Sequence, residues 1–448
     1  MSETLTSTKD LKRTLGFWDL MGASVGQIIG AGIMSLTGVA IGMTGRSVPI
    51  AFIVSAIMVV VSWYPATLIN SIGRFRGGQY SIIGSLVSEK LTGAWTIIFI
   101  LRNVSLSMYC LSFADYALPF LPMLPRKSIA IGILVLMYVL NYLGIDAFAK
   151  LQNVIVFALV LALTLFSIYG LRKVNMGSYM DDTWMMGGWL GLARSAAQLT
   201  FATGGANVII NLSGEAKNPA RDIPWVMITS TIGVAVLYAF MATIAAGVLP
   251  THEVANQPLT KVAQTFLPRG LYVFFIIGGA WMALISTLNS QLASCTKPLM
   301  QACNDGWLPN KIARLHKKYR TPVILLTIFF MVGLLPIVFN FSISVLSRIT
   351  STLGSVTSMF IAAGLLNIKK RYPKQWAKSV LHCSDGMRTF WVVVACLILL
   401  MQAILLGSSL PLPMLIGNIV VVVVGFIFAE VRFKSGNVHI ENSVEVEE

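Results

Sequence analysis

At 448 residues, with 56% hydrophobic and only 11% charged side chains, the chain is too apolar for any soluble class and reads as an all-α integral membrane protein. Its formal charge of +15 suits nucleic acid only if the basic residues share a patch. Most of the Lys and Arg fall instead in loops on one predicted side, which the positive-inside rule makes cytoplasmic, so nucleic acid is excluded and membrane lipid is the implied partner.

Residues 1–15 are polar, lack an apolar core of the signal-peptide kind, and form a predicted cytoplasmic N-terminal segment. About twelve transmembrane helices follow. The first five are expected at 17–43, 48–72, 95–121, 128–143 and 151–171, and five more at 190–213, 224–249, 271–304, 322–339 and 342–366. Two further spans, 387–407 and 413–431, precede a tail, 432–448, whose polar and acidic end "NVHIENSVEVEE" predicts disorder. Both termini then lie in the cytoplasm and the protein is multi-pass in the plasma membrane, a bacterial inner membrane by preference. The connection "RFRGGQYSIIGSLVSEKLTG" is expected to lie at the inner interface or to re-enter, and "THEVANQPLTKVAQTF" to lie at the outer one. The basic cluster Lys311, Arg314, Lys317, Lys318 and Arg320 reads as a topology signal before a lipid contact.

Within the first span, "SVGQIIGAGIM" places Gly26, Gly30 and Gly32 beside the polar Gln27 in a helix that must satisfy its own backbone in lipid. A second such place is "FATGGANVIINLSGEAKNP", with Gly204 and Gly205 midway through span six. Five spans separate the two, so the second helix runs opposite to the first. That is the arrangement of a 5+5 inverted repeat, 16–171 against 190–366, with LeuT-like broken helices 1 and 6 and two helices added outside it. Two readings of the glycines stand together. They allow neighbouring helices to approach, and they free main-chain groups for a ligand. In the second reading the N–H groups of Gly30, Ala31 and Gly32 take a carboxylate, and carbonyls near Gln27, Ile28, Phe201 and Ala202 take an ammonium group.

With these residues in view, the chain resembles the amino acid-polyamine-organocation superfamily of transporters, most closely its L-type amino-acid transporter branch. "GQIIGAGI" is similar to that family's Gly-small-Gly substrate motif. "FATGGAN" followed by "NPARDIP" resembles its helix-six signature, "GGQYSIIG" its first inner loop, and "NDGWLPNKIARLHKKYRTP" its loop after span eight. The resemblance implies a pocket lined by Ile28, Gly30, Ala31 and Gly32 from helix one and by Phe201, Ala202, Thr203 and Gly204 from helix six, with Phe201 closing over the substrate. Three departures stand out. Thr203 and Ala206 replace the usual bulky aromatic, which reshapes the side-chain pocket. Residues 151–170 hold no Lys or Arg where many relatives carry a Lys, which puts sodium-like or lysine-mediated coupling in doubt. "LPMLPRKS" lacks the Cys that joins a heavy chain in eukaryotic relatives, so no covalently attached partner is expected.

Intramembrane charges are candidates for function. Arg102, Lys297, Arg348 and Asp115 qualify, and Arg102 and Lys297 are placed where either can pair with Glu215 as an inner gate or as a structural pair. Gln27, Gly26, Asn207, Thr287 and Asn289 are further candidates for pocket or gate positions. No acid is expected at mid-depth in helices one, six or eight, so a neutral substrate is preferred over a cationic one. The four histidines are scattered in loops and tail, and the five cysteines have neither disulfide nor metal spacing; no enzyme, cofactor or metal is implied. The expected function is movement of neutral L-amino acids by alternating access, by exchange or facilitated diffusion. Proton-coupled symport and a non-enzymatic channel remain as alternatives.

Overall fold

The computed structural model describes residues 7–30, 32–441 and 443–445; the expected pocket residue Ala31 lies outside them. The fold is all-α, and the twelve main helical segments among the described residues are named here α1–α12. α1 comprises Phe17–Ile28 and, past a break, Gly32–Leu36 and Thr37–Thr44. α2 is Val48–Asn70, α3 is Glu89–Arg102 with Ser105–Ala117, α4 is Arg126–Tyr142 and α5 is Ile145–Leu171. α6 is Gly188–Thr203 and, past a second break, the tighter 3-10 arm Ala206–Glu215. α7 is Pro219–Gly247 and α8 is Arg269–Asn304, with a π-helical stretch at Phe275–Trp281. α9 is Val323–Val338, α10 is Ile343–Arg371, α11 is Asp385–Gly407 and α12 is Leu412–Lys434.

Among the described residues eight stretches are long and apolar enough to cross a bilayer unaided, and the first of them, Phe17–Asn70, holds both α1 and α2. α4, α6 and α9 are shorter or interrupted. Their neighbours show which helices meet lipid. α12 buries only Asn418, Gly425 and Ala429, and it exposes Ile416, Ile419, Val423 and Ile427. A Cβ built on Gly425 would lie 3.1 Å from the Ala94 carbonyl oxygen, so α12 seats on α3 by that glycine. The Met282–Asn304 part of α8 is buried almost all round, as expected of a helix at the centre of a bundle.

The start of α1 and the end of α6 meet: Leu15 N–H donates to Glu215 O at 3.0 Å, and Lys217 N–H to Leu15 O at 2.8 Å. The two broken helices therefore run in opposite directions. Around this point lies the terminal face, where both described chain ends sit. The "GGQY" turn packs there, because Gly78 has φ +58° and a Cβ on it would come within 2.5 Å of the Asn211 backbone. Asn211 Oδ1 accepts from Gln79 N–H at 3.1 Å, and Ser213 Oγ accepts from Phe75 N–H at 3.1 Å. This connection forms a short buried helix, Gln79–Leu86, under the bundle. α3 begins six residues earlier than expected, at Glu89, because the Trp307 ring packs on Gly93 and its indole donates to Thr92 Oγ1 at 2.8 Å.

The expected disordered tail is docked. Val444–Glu445 pairs antiparallel with Arg74–Phe75, Arg13 donates to Glu445 at 2.9 Å, and Glu441 N–H reaches the Asp305 carboxylate. Glu441 and Glu445 meet basic residues of the terminal face, which composition alone did not reveal. On the opposite, far face, "THEVANQPLTKVAQTF" forms Thr251–Val254 and Leu259–Phe266, as expected of a surface piece.

Candidate functional site

The break in α1 is real but sealed. Ile29 is extended (φ −82°, ψ 93°). Thr287 Oγ1 on α8 donates to Gly26 O at 2.8 Å and lies 3.3 Å from Ile29 O, and Ser286 Oγ donates to Gly26 O at 2.9 Å. Tyr238 OH on α7 donates to Ile28 O at 3.0 Å, and Gln152 Nε2 on α5 to Gly22 O at 3.2 Å. Carbonyls freed by an interrupted helix are thus capped by protein, as burial demands. The Ile28 carbonyl, expected near a bound ammonium group, accepts from the Tyr238 hydroxyl. The glycines serve close approach. A Cβ at Gly26 would meet Gln152 Nε2 at 2.0 Å, one at Gly30 would meet Thr287 Oγ1 at 2.4 Å, and one at Gly32 would meet the Ala202 backbone at 2.3 Å.

The break in α6 is different. Gly204 is extended and Gly205 has φ +133° and ψ −27°, a conformation that only glycine adopts without strain. Both line a cavity with about 920 Å³ of empty space, its mouth included. The cavity begins beneath the rings of Phe201 and Tyr109, whose centroids are 6.0 Å apart, and extends toward the terminal face as far as Gln79 and Asn211. α6 ends its first arm at Thr203, so the carbonyl end of that arm, with its partial negative charge, is directed at this space. On the far side, Tyr116 OH donates to Met34 O at 2.5 Å and Trp281 Nε1 to Tyr116 O at 3.2 Å. These contacts form a layer between the cavity and a second space on the far face lined by Ser35, Asp115, Tyr116 and Asn256.

Of the expected site residues, Gln27, Arg102, Phe201, Gly204 and Asn207 line the cavity. Ile28, Gly30, Gly32, Ala202 and Thr203 are buried behind it; Thr203 shares a hydrogen bond of 2.6 Å with Ser55. Ala206 lines a smaller adjoining pocket between α2, α6 and α7, with Val59, Trp63 and Thr231. Thr287 caps the α1 break, and Asn289 joins Gln152 and Asn141 through hydrogen bonds of 3.0 Å. Lys297 pairs with Glu215 at 3.0 Å, their side chains 7% and 3% exposed. Arg102 does not join that pair and stands in the cavity wall. Arg348 is held by Gln198 Oε1 and Ser409 O, and Asp115 by Arg126.

Residues that the sequence did not single out complete the wall: Tyr109, Gln291, Gln402, Thr200 and a small-residue face of α10 (Thr350, Ser351, Gly354, Ser355). Gln27 donates to Gln291 Oε1 at 3.0 Å, and Gln291 in turn bonds Asn103 Oδ1. The spacing of Thr350, Gly354 and Ser358 along one helical face was the available signal for α10. Among the described residues no group of His, Cys, Asp and Glu is placed to hold a metal.

An all-α bundle with paired helix breaks beside a polar internal cavity defines a membrane permease. The chain belongs to the amino acid permease family, whose profile matches residues 15–434, within the amino acid-polyamine-organocation superfamily. It is similar to the branched-chain amino acid permease BcaP of Bacillus subtilis (26% identical, covering 70% of this chain and 72% of the relative). It is also similar to cationic amino acid transporter 1 of Arabidopsis thaliana (24%, 80% and 63%) and to a methylthioribose transporter of Bacillus subtilis (25%, 71% and 74%).

Proposed function

We propose that the protein is a secondary transporter that carries amino acids without a cationic side chain, neutral L-amino acids in the first place, by alternating access and by exchange. The observation that carries this reading is the open break in α6: the carbonyl end of its first arm meets, at Gly204 and Gly205, a cavity whose lining among the described residues contains no Asp or Glu. An ammonium group finds partners there, whereas a second, side-chain cation would find no counter-ion. The three relatives carry different cargoes by name, so membership of the family does not choose among them. In this reading α1–α5 and α6–α10 are the two halves of an inverted repeat, and the cavity is the substrate site in the state that faces the terminal side, the cytoplasm. The layer formed by Tyr116, Met34 and Trp281 closes the other side.

The test is uptake of labelled neutral amino acids into proteoliposomes with and without internal substrate. Uptake stimulated by internal substrate supports exchange. Uptake that responds only to an imposed pH gradient supports proton coupling instead, and uptake of none overturns the reading.

A further inference from the structure

Among the described residues the cavity wall contains one charged side chain, Arg102, and no carboxylate. Elsewhere the buried Lys297 is paired with Glu215 at 3.0 Å, and the buried Arg46 with the exposed Asp181 at 3.3 Å. Arg102 makes one side-chain hydrogen bond, from Nη1 to Thr357 Oγ1 at 2.9 Å, and rests over the Phe99 ring with Cζ 5.7 Å from its centroid. A guanidinium has about five N–H donors and does not give up its charge in a protein, and Arg102 lines the cavity with a single side-chain acceptor among the described residues. A cation held within a membrane span without a counter-ion costs several kcal/mol by general experience, and it persists where something else repays that cost.

Two further features show what can. First, α10 presents Gly354 to the guanidinium: a Cβ there would lie 4.0 Å from Arg102 Cζ, so the bare glycine leaves room for another group beside the charge. Second, an amide relay runs from the α1 break to the residue next to Arg102, from Gln27 through Gln291 to Asn103. It spans the wall between the breaks and the cation and contains no charge. The cavity thus has a negative dipole end at Gly204 and Gly205 and a full positive charge elsewhere on the same wall.

We propose that Arg102 receives the anionic side chain of an acidic amino acid whose ammonium group lies at the α6 break. The inference rests on the reading of this cavity as the substrate site. It extends the range of cargo from neutral to acidic amino acids and names the residue that reads the side chain. Its chemistry is a carboxylate on a short stem, held by charge-assisted hydrogen bonds that a carboxamide of the same shape cannot match.

The experiment compares L-glutamate with L-glutamine and L-aspartate with L-asparagine, pairs of nearly equal shape, as binders to the full-length protein in detergent and as competitors in proteoliposomes. The expected result is that each acid binds about tenfold or more tightly than its amide, a difference of one charge-assisted contact. Arg102→Gln is expected to remove that preference, and Arg102→Lys to retain part of it. Amides binding as well as acids to the unmodified protein would overturn the proposal while leaving the transporter reading intact. So would an acid preference that survives Arg102→Gln. Neutral binding that requires chloride would also overturn it, since a free anion would then occupy the cation. If neither acids nor neutral amino acids bind, the transporter reading fails along with it. Should Arg102→Gln not fold, the acid-to-amide ratio of the unmodified protein, together with Arg102→Lys, decides.

Discussion

The two helix breaks use the same residue type and end in opposite states. At the α1 break, Gly26, Gly30 and Gly32 are buried against Gln152, Thr287 and Ala202, and hydroxyls from α7 and α8 cap the freed carbonyls. At the α6 break, Gly204 and Gly205 stand on a cavity, with Phe201 and Asn207 half-exposed beside them. Glycine therefore answers two different demands here. In α1 it removes a Cβ so that helices can touch, and in α6 it permits a backbone turn at the edge of the cavity. The first break is a joint between helices, and the second borders a cavity, which the proposed function makes a surface for a ligand.

The sharpest way to break this comparison is Gly32→Ala. The added Cβ would lie 2.3 Å from the Ala202 backbone, which belongs to the partner broken helix and cannot rotate away. Overpacking costs about 1–3 kcal/mol and occasionally more, and a backbone contact this close belongs at the upper end. The expected outcome is loss of monodisperse protein on size-exclusion chromatography; a well-folded variant with normal stability would show that α1 and α6 are not locked at this point. Next in size is Gly205→Ala, which forces an L-residue to φ +133° at a cost of about 1–3 kcal/mol. Here protein should be recovered with a lower melting temperature and with substrate binding weakened, because the strained turn is itself part of the cavity wall.

Much of this was legible in the chain. Hydrophobic runs located all twelve segments, since each must cover a bilayer, and paired glycines in oppositely directed helices located both breaks. The state of each break was not legible, because it depends on residues far away in sequence: Thr287 lies more than 250 positions from Gly26, and only the packing of α8 against α1 brings its hydroxyl to that carbonyl. The same holds for Arg102. Its position in a span was evident, but a pairing with Glu215 was as consistent with the sequence as its actual place in the cavity, and Lys297 takes that acid instead. The tail was misread for a related reason: its acids look solvated until Arg13, Arg74 and Arg76 are placed opposite them.

A smaller effect separates the two breaks chemically. Thr287→Val keeps the side-chain shape and removes the hydroxyl that serves Gly26 O and Ile29 O, leaving Gly26 O with Ser286 alone. A buried carbonyl without its donor costs about 1–3 kcal/mol. The variant should melt lower than the unmodified protein in a thermal-shift measurement, and Thr287→Ser, which restores the donor, should recover most of the difference. If Thr287→Val instead left stability untouched and abolished binding, the α1 break would have to be counted as part of the ligand surface.

The smallest expected change in stability comes from Asn207→Ala at the other break. The Asn207 side chain lines the cavity half-exposed, and the hydrogen bond that fixes this residue uses its backbone carbonyl, which accepts from Gln79 Nε2 at 3.3 Å. Truncation therefore removes no support, and stability should change by no more than about 0.5 kcal/mol, as for most substitutions that touch no packed or paired group. Binding should respond differently, because one neutral hydrogen bond to a ligand is worth about 0.5–1.5 kcal/mol, or up to about a tenfold rise in Kd. A fall in melting temperature with unchanged Kd would reverse the assignment and make the α6 break, like that of α1, a joint.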